Sequence, residues 1–485
     1  MSLVATRFAP SPTGPLHIGG VRTALFNWLF SKNNKGKFYL RIEDTDKDRS
    51  KNEYKIQIIK SLKWIGVEHD EKEYIQSEKI KEHQKIAEDL LKKGFAYKCY
   101  CSEEEINEQK NNAKKKGVPF IYNRKWRDPK ELKIPTNIKP VIRFKSKISG
   151  NNIIKDLVQG EINISNSTIE DFVIIRQDGS PTYQLSATVD DHLMNITHVI
   201  RGDDHLSNTP RQALLFDSLG YARPKFAHIS MILGEDKTRL SKRHGATSTL
   251  AYRDMGFLPQ ALINYLLRLG WSHGDQEIFS QEEMIELFSL ESITKSAAVF
   301  NPEKLFWLNQ HYIKTSPVEE IAEHWKPILT KEKILDEKFD ELIKAMQKKT
   351  NYESIIPIPS KLTSRHIEAI IPSLRERSKT LLEMAHASTF FFKDKLDFDE
   401  KAKNKFLKPE IAPLFKMVIE ELTKLNDFTD QEEEIEYIIK GIVEKEGLKL
   451  GKLAQPIRIA LTGKTISPGI YDVIIMLGRT RTLKR

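Results

Sequence analysis

Ala9-Pro10-Ser11-Pro12-Thr13-Gly14-Pro15-Leu16-His17-Ile18-Gly19-Gly20 is the stretch whose reading settles the fold. Before it, Val4 to Ala9 reads as a strand. After it, His17 to Lys32 reads as a helix, because Ile18, Val21, Leu25 and Trp28 recur at helical spacing. Gly36 follows the helix end, where a left-handed cap is wanted. Lys37 to Ile42 is again extended and Tyr54 to Ile65 again helical, which is how a parallel α/β sheet opens. A Pro-rich turn running into a helix N-terminus suits an anion, since free N–H groups and about half a positive charge converge there. Gly19 and Gly20 clear side chains so that a nucleotide can lie near the backbone, and His17 can donate to a phosphate oxygen. In a shorter string the same residues would be ordinary punctuation between elements.

Outward from this point the alternation continues. A helix from Ile80 to Lys93 ends at Gly94 and leads into a strand from Phe95 to Tyr100. Ser102 and Glu105 form a capping box for a charged helix that runs out at Lys114, Lys115, Lys116 and Gly117. From Val141 to Arg176 the pattern becomes short β runs with a hairpin signal at Asp178 and Gly179, an insertion between two halves of the sheet. The α/β pattern resumes with Thr197 to Arg201 extended, a helix from Thr209 and Pro210, and Phe226 to Leu233 extended. After about Thr247 the strand signals stop. Leu258 to Leu269, Gln281 to Phe288, Pro302 to Gln310 and much of the remainder read as helices, and no fixed-period repeat is present.

A second string follows the last strand: Lys237-Thr238-Arg239-Leu240-Ser241-Lys242-Arg243-His244-Gly245. Its four cations from Lys237 to Arg243 lie past a strand's carboxyl end, where open α/β sheets bind ligands. Cations on such a loop can stabilise the charge that develops on phosphate oxygens and a departing pyrophosphate. By itself the string is equally a solvated basic loop.

Composition bounds the rest. A chain of 485 residues exceeds one ordinary core, which favours several domains and an enzyme over a single binding module. No apolar run reaches the length of a membrane span, and Met1 to Thr6 lack the charged and apolar regions of a secretion signal, so a cytoplasmic protein is expected. Cys99 and Cys101 are too close to staple a domain. A net charge of +10 favours a polyanionic partner.

Taken together, the two strings resemble the HIGH and KMSKS signatures of the class I aminoacyl-tRNA synthetases, in the HIGG and RLSKR variants of the glutamyl branch. The resemblance runs nearly end to end, through Arg41-Ile42-Glu43-Asp44-Thr45-Asp46, Pro181-Thr182-Tyr183, Val189-Asp190-Asp191-His192, Ile200-Arg201-Gly202-Asp203-Asp204-His205, Ser207-Asn208-Thr209-Pro210-Arg211-Gln212 and Ala454-Gln455-Pro456 to Ser467-Pro468-Gly469. It implies a Rossmann-like α/β catalytic domain split by an α+β insertion and followed by an all-helical anticodon-binding region. The expected boundaries are 1–78 and 185–246 for the catalytic halves, 79–184 for an acceptor-end insertion, 247–320 for a helical stem-contact domain, and 321–485 for the anticodon part, divided near 395.

The implied reaction is ATP-dependent ligation of L-glutamate to the 3′ end of tRNA(Glu) through glutamyl-adenylate, with Mg2+ helping on the phosphates. The resemblance places Arg7, Ser11, Glu43, Tyr183 and Arg201 around glutamate. It gives His17, Gly19, Gly20, Asp204, Arg239, Leu240, Ser241 and Lys242 to ATP, with His17, Gly19, Gly20, Lys242 and Arg243 forming the catalytic set. The chemistry agrees, since Glu43 suits an α-ammonium and a guanidinium such as Arg201 or Arg7 suits a side-chain carboxylate. Arg375, Arg377, Lys379, Arg458 and Arg479 are candidates to meet RNA. A monomer is expected, and the sequence does not decide whether tRNA(Gln) is charged as well as tRNA(Glu).

Three positions depart from the pattern. Arg239 replaces the first signature lysine, Arg243 ends the signature, and Asp203 stands where many relatives carry Glu. Cys99-Tyr100-Cys101 matches half of a zinc knuckle found in some relatives, but Tyr122-Asn123-Arg124-Lys125-Trp126-Arg127-Asp128 supplies no second pair of ligands, so no metal is expected. Gly463-Lys464-Thr465 lacks the rest of a phosphate loop. The rival readings are a truncated relative that modifies a tRNA base, a glutaminyl enzyme, and a catalytically silent or altered tRNA-binding paralogue. The long helical tail opposes the first two, and intact His17, Glu43, Arg201 and Lys242 oppose the third.

Overall fold

β1 (Ala5–Phe8), α1 (Ile18–Asn33), β2 (Lys37–Ile42), α2 (Asn52–Trp64) and β3 (Tyr74–Ile75) build a parallel sheet in the order β1-β2-β3, with Ala5 opposite Lys37. The computed structural model describes residues 3–46, 48–128, 133–240, 248–335 and 364–485. α1 begins where His17 Nδ1 accepts the Gly20 N–H, and it buries Ile18, Val21, Leu25 and Trp28 as their spacing requires.

α3 (Ile80–Lys92) and β4 (Ala96–Cys99) lead to α4 (Glu103–Lys115), which opens on the Ser102–Glu105 capping box. β5 (Val141–Phe144) and β8 (Val173–Ile175) join β4 in a separate antiparallel sheet. Between them, β6 (Asn151–Asp156) and β7 (Gly160–Ser165) form a hairpin. This hairpin lies within the stretch 79–184 expected as the insertion. Phe226 pairs in parallel with Asp156, so β6 extends the sheet of the second catalytic half.

That sheet contains β9 (His198–Gly202) and β10 (Lys225–Ile229), reached through α5 (Tyr183–Leu193) and α6 (Thr209–Leu219), and its order is β7-β6-β10-β9. β9 lies beside β1, where Thr197 N donates to Ala5 O (3.0 Å) and Asn27 Nδ2 of α1 donates to Ile200 O (2.9 Å). The chain leaves β1 to one side and β9 to the other. A topological switch point results, with its crevice beyond the carboxyl ends of both strands.

Some local expectations are corrected. The left-handed residue after α1 is Lys35 (φ 52°), not Gly36. Gly36 is a glycine because a Cβ there would lie 2.2 Å from Val4 O, which accepts the Lys37 N–H at 2.8 Å. Gly36→Ala should therefore cost about 1–3 kcal/mol through forced repacking. Thermal unfolding checks this, and an unchanged midpoint would show that the β1 edge yields freely.

The expected strand from Phe226 to Leu233 breaks after Ile229. β11 (Ile232–Leu233) pairs instead with β12 (Ala298–Val299), a short strand beyond the point where strand signals stop in the sequence. Ser230 causes the break by holding Ser296 O through its hydroxyl and giving its own carbonyl to Arg22. Two residues are too few for an alternating pattern to reveal. The Asp178–Gly179 turn exists, but only Ile175 and Pro181 bridge across it before Tyr183 starts α5.

Contacts divide the chain into two units, Met1–Ala251 with Leu262–Pro302, and Tyr252–Ala261 with Glu303–Arg485. Residues 247–320, read as one domain, are shared between them. The second unit is helical around Trp325, Phe391, Phe428, Ile439, Leu453 and Ile474. Within it Arg377 and Arg458 donate to the Ser467 carbonyl, and Arg479 donates to Thr423 and Leu425 carbonyls. Three of the RNA-contact candidates thus tie down backbone. Among the described residues no helix is long and apolar enough to cross a membrane.

Candidate active site

Two strands that open the fold carry buried arginines. Arg7 lies within β1 at 3% exposure and Arg41 within β2 at 0%. Such charges require partners. Both converge on Asp191 of α5: Arg7 Nε donates to Oδ1 at 2.9 Å and Arg41 Nη1 donates to the same oxygen at 2.6 Å. Arg41 also donates through Nε and Nη2 to Glu43 Oε1, at 3.2 and 3.0 Å. Burial opposes the Asp191 charge, but Arg41 and Arg7 overcome it and hold the carboxyl below its usual range. Glu43 goes the other way, because its burial outweighs the pull of Arg41 and Arg7 and raises its pKa. Glu43 is therefore paired with Arg41 yet costly to keep ionised, because of its burial.

Arg201, at the end of β9, is 6% exposed and has no carboxylate within salt-bridge distance among the described residues. Its Nη1 donates to Tyr183 Oη (3.0 Å), Nη2 to Thr209 Oγ1 (2.7 Å) and Nε to His228 Nε2 (3.1 Å). A guanidinium has five N–H groups, and these bonds use three of them. Burial lowers its pKa, against the opposing pull of Tyr183. Tyr183 lies within electrostatic reach of Arg201, Glu43, Arg7 and Arg41, so four of the five residues expected around glutamate share one pocket. Ser11 is exposed on the loop above, whose Pro10 carbonyl accepts the Glu43 N–H at 3.0 Å.

The helix tip forms the second half of the site. Because His17 Nδ1 accepts the Gly20 N–H (3.2 Å), the neutral ring carries its proton on Nε2 and presents an outward donor. Surrounding protein and the Arg239 charge lower its pKa, with Asp204 pulling the other way. Arg239 Nη2 lies 3.3 Å from Asp204 Oδ2. Gly20 has a packing role that the nucleotide reading missed, since a Cβ there would lie 2.7 Å from Leu16 Cδ1. Arg239 and Leu240 pair back onto Leu233 and Ile232, making a hairpin that leads to residue 241. Ser241, Lys242 and Arg243 lie outside the described residues. The chain is described again at Ser248, which bridges His17.

The structure adds residues that the motifs did not assign. Arg41 and Asp191 fix the charge lattice, while Asp156 and His228 buttress Arg201. Asp190, next to Asp191, accepts from Tyr74 Oη (2.9 Å) and Gln76 Nε2 (2.7 Å) and pairs with His83 Nε2 (2.7 Å). Charged residues inside otherwise apolar strands were the available signal for Arg7 and Arg41. Asp203 buries Oδ1 with no partner among the described residues, and burial and Asp204 raise its pKa.

Cys99 and Cys101 sit 3.3 and 3.6 Å from the Tyr122 hydroxyl, and Arg143 Nε donates to Cys99 Sγ at 3.4 Å while its guanidinium lies over the Tyr122 ring. Two thiols, a phenol and a guanidinium do not make the donor set of a structural zinc.

A family model described as tRNA synthetases class I (E and Q), catalytic domain, matches residues 3–307, and an anticodon binding domain model matches residues 320–485. The chain is 49% identical over 484 residues to glutamate–tRNA ligase of Thermodesulfovibrio yellowstonii, covering 100% of this chain and 98% of that one. It is 48% identical over 485 residues to glutamate–tRNA ligase of Pelagibacter ubique, with the same coverage of 100% and 98%. The solved glutamate tRNA ligase of Elizabethkingia meningosepticum, in complex with its amino acid, is similar with a TM-score of 0.82 at 33% identity, over 100% of this chain and 98% of that one.

Proposed function

The chain belongs to the class I tRNA synthetases of glutamate and glutamine, and we propose that it joins L-glutamate to the 3′ end of tRNA(Glu) through a glutamyl-adenylate, with Arg201 selecting the acid. One observation carries this reading. Arg7 and Arg41 are matched by Asp191 and Glu43, whereas buried Arg201 has donors to spare and no carboxylate among the described residues. A γ-carboxylate completes it bidentately, and a neutral amide does so poorly. Glu43 takes the α-ammonium, which offsets the cost of its buried charge, while Arg7, Ser11 and Tyr183 line the remainder.

ATP enters as its magnesium complex, so the metal arrives on the phosphates. His17 Nε2–H, the backbone at Gly19 and Gly20, and Asp204, Arg239, Leu240, Ser241, Lys242 and Arg243 hold the nucleotide. Glutamate's α-carboxylate oxygen then attacks the α-phosphorus, forming an O–P bond as the bond to the bridging α–β oxygen breaks and pyrophosphate leaves. The terminal ribose 2′-hydroxyl of tRNA next attacks the glutamyl carbonyl, and AMP departs. No side-chain nucleophile is needed, because positioning and charge neutralisation supply the rate. Residues 79–184 hold the acceptor end, 247–320 the stem and 321–485 the anticodon of a tRNA bound to a cytoplasmic monomer.

The test is exchange of pyrophosphate into ATP. Exchange should require L-glutamate and tRNA together; exchange with another amino acid, or no exchange with any, would overturn the assignment. Parallel acylation of purified tRNA(Glu) and tRNA(Gln) determines whether the second is also a substrate.

A further inference from the structure

We infer that Asp156 and His228 form a positioning pair that fixes the guanidinium of Arg201 for an acidic side chain, so that specificity depends on a histidine tautomer set by the β6–β7 turn. The inference rests on the reading of Arg201 given above. His228 Nδ1 lies 2.6 Å from Asp156 Oδ2, and both side chains are fully buried. The carboxylate can only accept, so the proton belongs on Nδ1 and Nε2 is left as an acceptor. Nε2 faces Arg201 Nε at 3.1 Å and Thr209 Oγ1 at 3.0 Å. Thr209 Oγ1 in turn accepts from Arg201 Nη2 at 2.7 Å. One edge of the guanidinium is therefore occupied, Nη1 donates to Tyr183, and two N–H groups remain for a ligand.

The turn holds His228 by its backbone as well. Asp156 Oδ1 accepts the His228 N–H (3.2 Å), and Gln159 Nε2 donates to His228 O (2.9 Å). Burial lowers the pKa of His228, against the opposing bond to Asp156, which suits a ring that must stay neutral. Asp156 Oδ1 also accepts from Val158 and Gln159 N–H groups, at 3.0 and 2.8 Å. In Asp156→Asn the amide oxygen must take that place. The amide NH2 then faces His228 Nδ1 and drives the proton to Nε2, where two N–H donors, from His228 and Arg201, oppose each other.

The experiment is steady-state acylation of tRNA(Glu) by Asp156→Asn, His228→Asn, His228→Gln and Arg201→Gln, each with its melting curve. Asp156→Asn and His228→Asn should raise KM for glutamate about 10- to 100-fold, as loss of a hydrogen bond to a charged group implies. KM for ATP and kcat should change little, and competition by glutamine should strengthen. His228→Gln restores an acceptor near Nε2 and should stay within a few-fold of the parent. If one asparagine variant fails to fold, the other and His228→Gln decide. An unchanged KM for glutamate in the folded asparagine variants, with Arg201→Gln impaired, overturns the pair alone. ATP and glutamate KM rising together would reduce the pair to a structural role and overturn it as well. If Arg201→Gln also leaves KM and the glutamate preference unchanged, the pocket reading itself is wrong.

Discussion

Arg201→Gln should lower kcat/KM for glutamate about a hundredfold or more while leaving the protein as stable as the parent or slightly more so. The first half follows from desolvation. A carboxylate entering this pocket leaves its water behind and recovers that cost only by pairing with a guanidinium that is already dry. Removing one member of such a buried charged pair costs about 2–5 kcal/mol, and a hundredfold corresponds to about 2.7 kcal/mol. The second half follows from the unliganded protein. Burial lowers the Arg201 pKa, so at neutral pH its charge opposes folding, and a neutral side chain of similar reach relieves that penalty. Glutamine can also retain a bond to Tyr183 or Thr209. Acylation kinetics and calorimetry test the two halves together. A large loss of stability with intact glutamate kinetics would mean that Arg201 serves the fold.

The missing carboxylate around Arg201 among the described residues, from which both halves of this prediction follow, is visible only in three dimensions. The sequence revealed features governed by neighbours a few residues away. The period of Ile18, Val21, Leu25 and Trp28 gave α1, the Ser102–Glu105 pair gave the start of α4, and the Pro-rich run gave the helix tip at His17. It was silent or misleading where a distant segment decides. Gly36 looked like a cap, but its reason is Val4 O on the neighbouring strand. Ser230 breaks a continuous β pattern because its partners, Ser296 and Arg22, come from far along the chain. Asp156 and His228 are separated by 72 residues and belong to no local motif. The resemblance supplied Arg201 as a ligand residue but not its missing counter-ion, which is a property of packing.

Asp191→Asn should destabilise the protein by about 3–5 kcal/mol at pH 7, because two buried guanidiniums lose their common carboxylate. Arg41 would keep Glu43, but Arg7 would keep no ionic partner among the described residues. The pH dependence gives the sharper test. The folded pKa of Asp191 is depressed, so its contribution is present above the unfolded aspartate value of about 3.9 and is lost as pH falls through the folded value. Glu43 has a raised folded pKa and the opposite sign. Its contribution is present below the unfolded value and is lost as pH rises through the folded one. Acidification of the parent therefore first removes the Glu43 penalty and only then the Asp191 stabilisation. Denaturant titrations should show a gap between parent and variant that is constant above the unfolded aspartate value of about 3.9 and shrinks as pH falls below it toward the depressed folded value. A gap that persists in acid would mean that shape, not charge, makes Asp191 necessary. The same opposition links stability to function, since an α-ammonium beside Glu43 removes at neutral pH the penalty that acid removes in its absence. Glutamate should thus raise the melting temperature of the parent more at pH 7 than at pH 4.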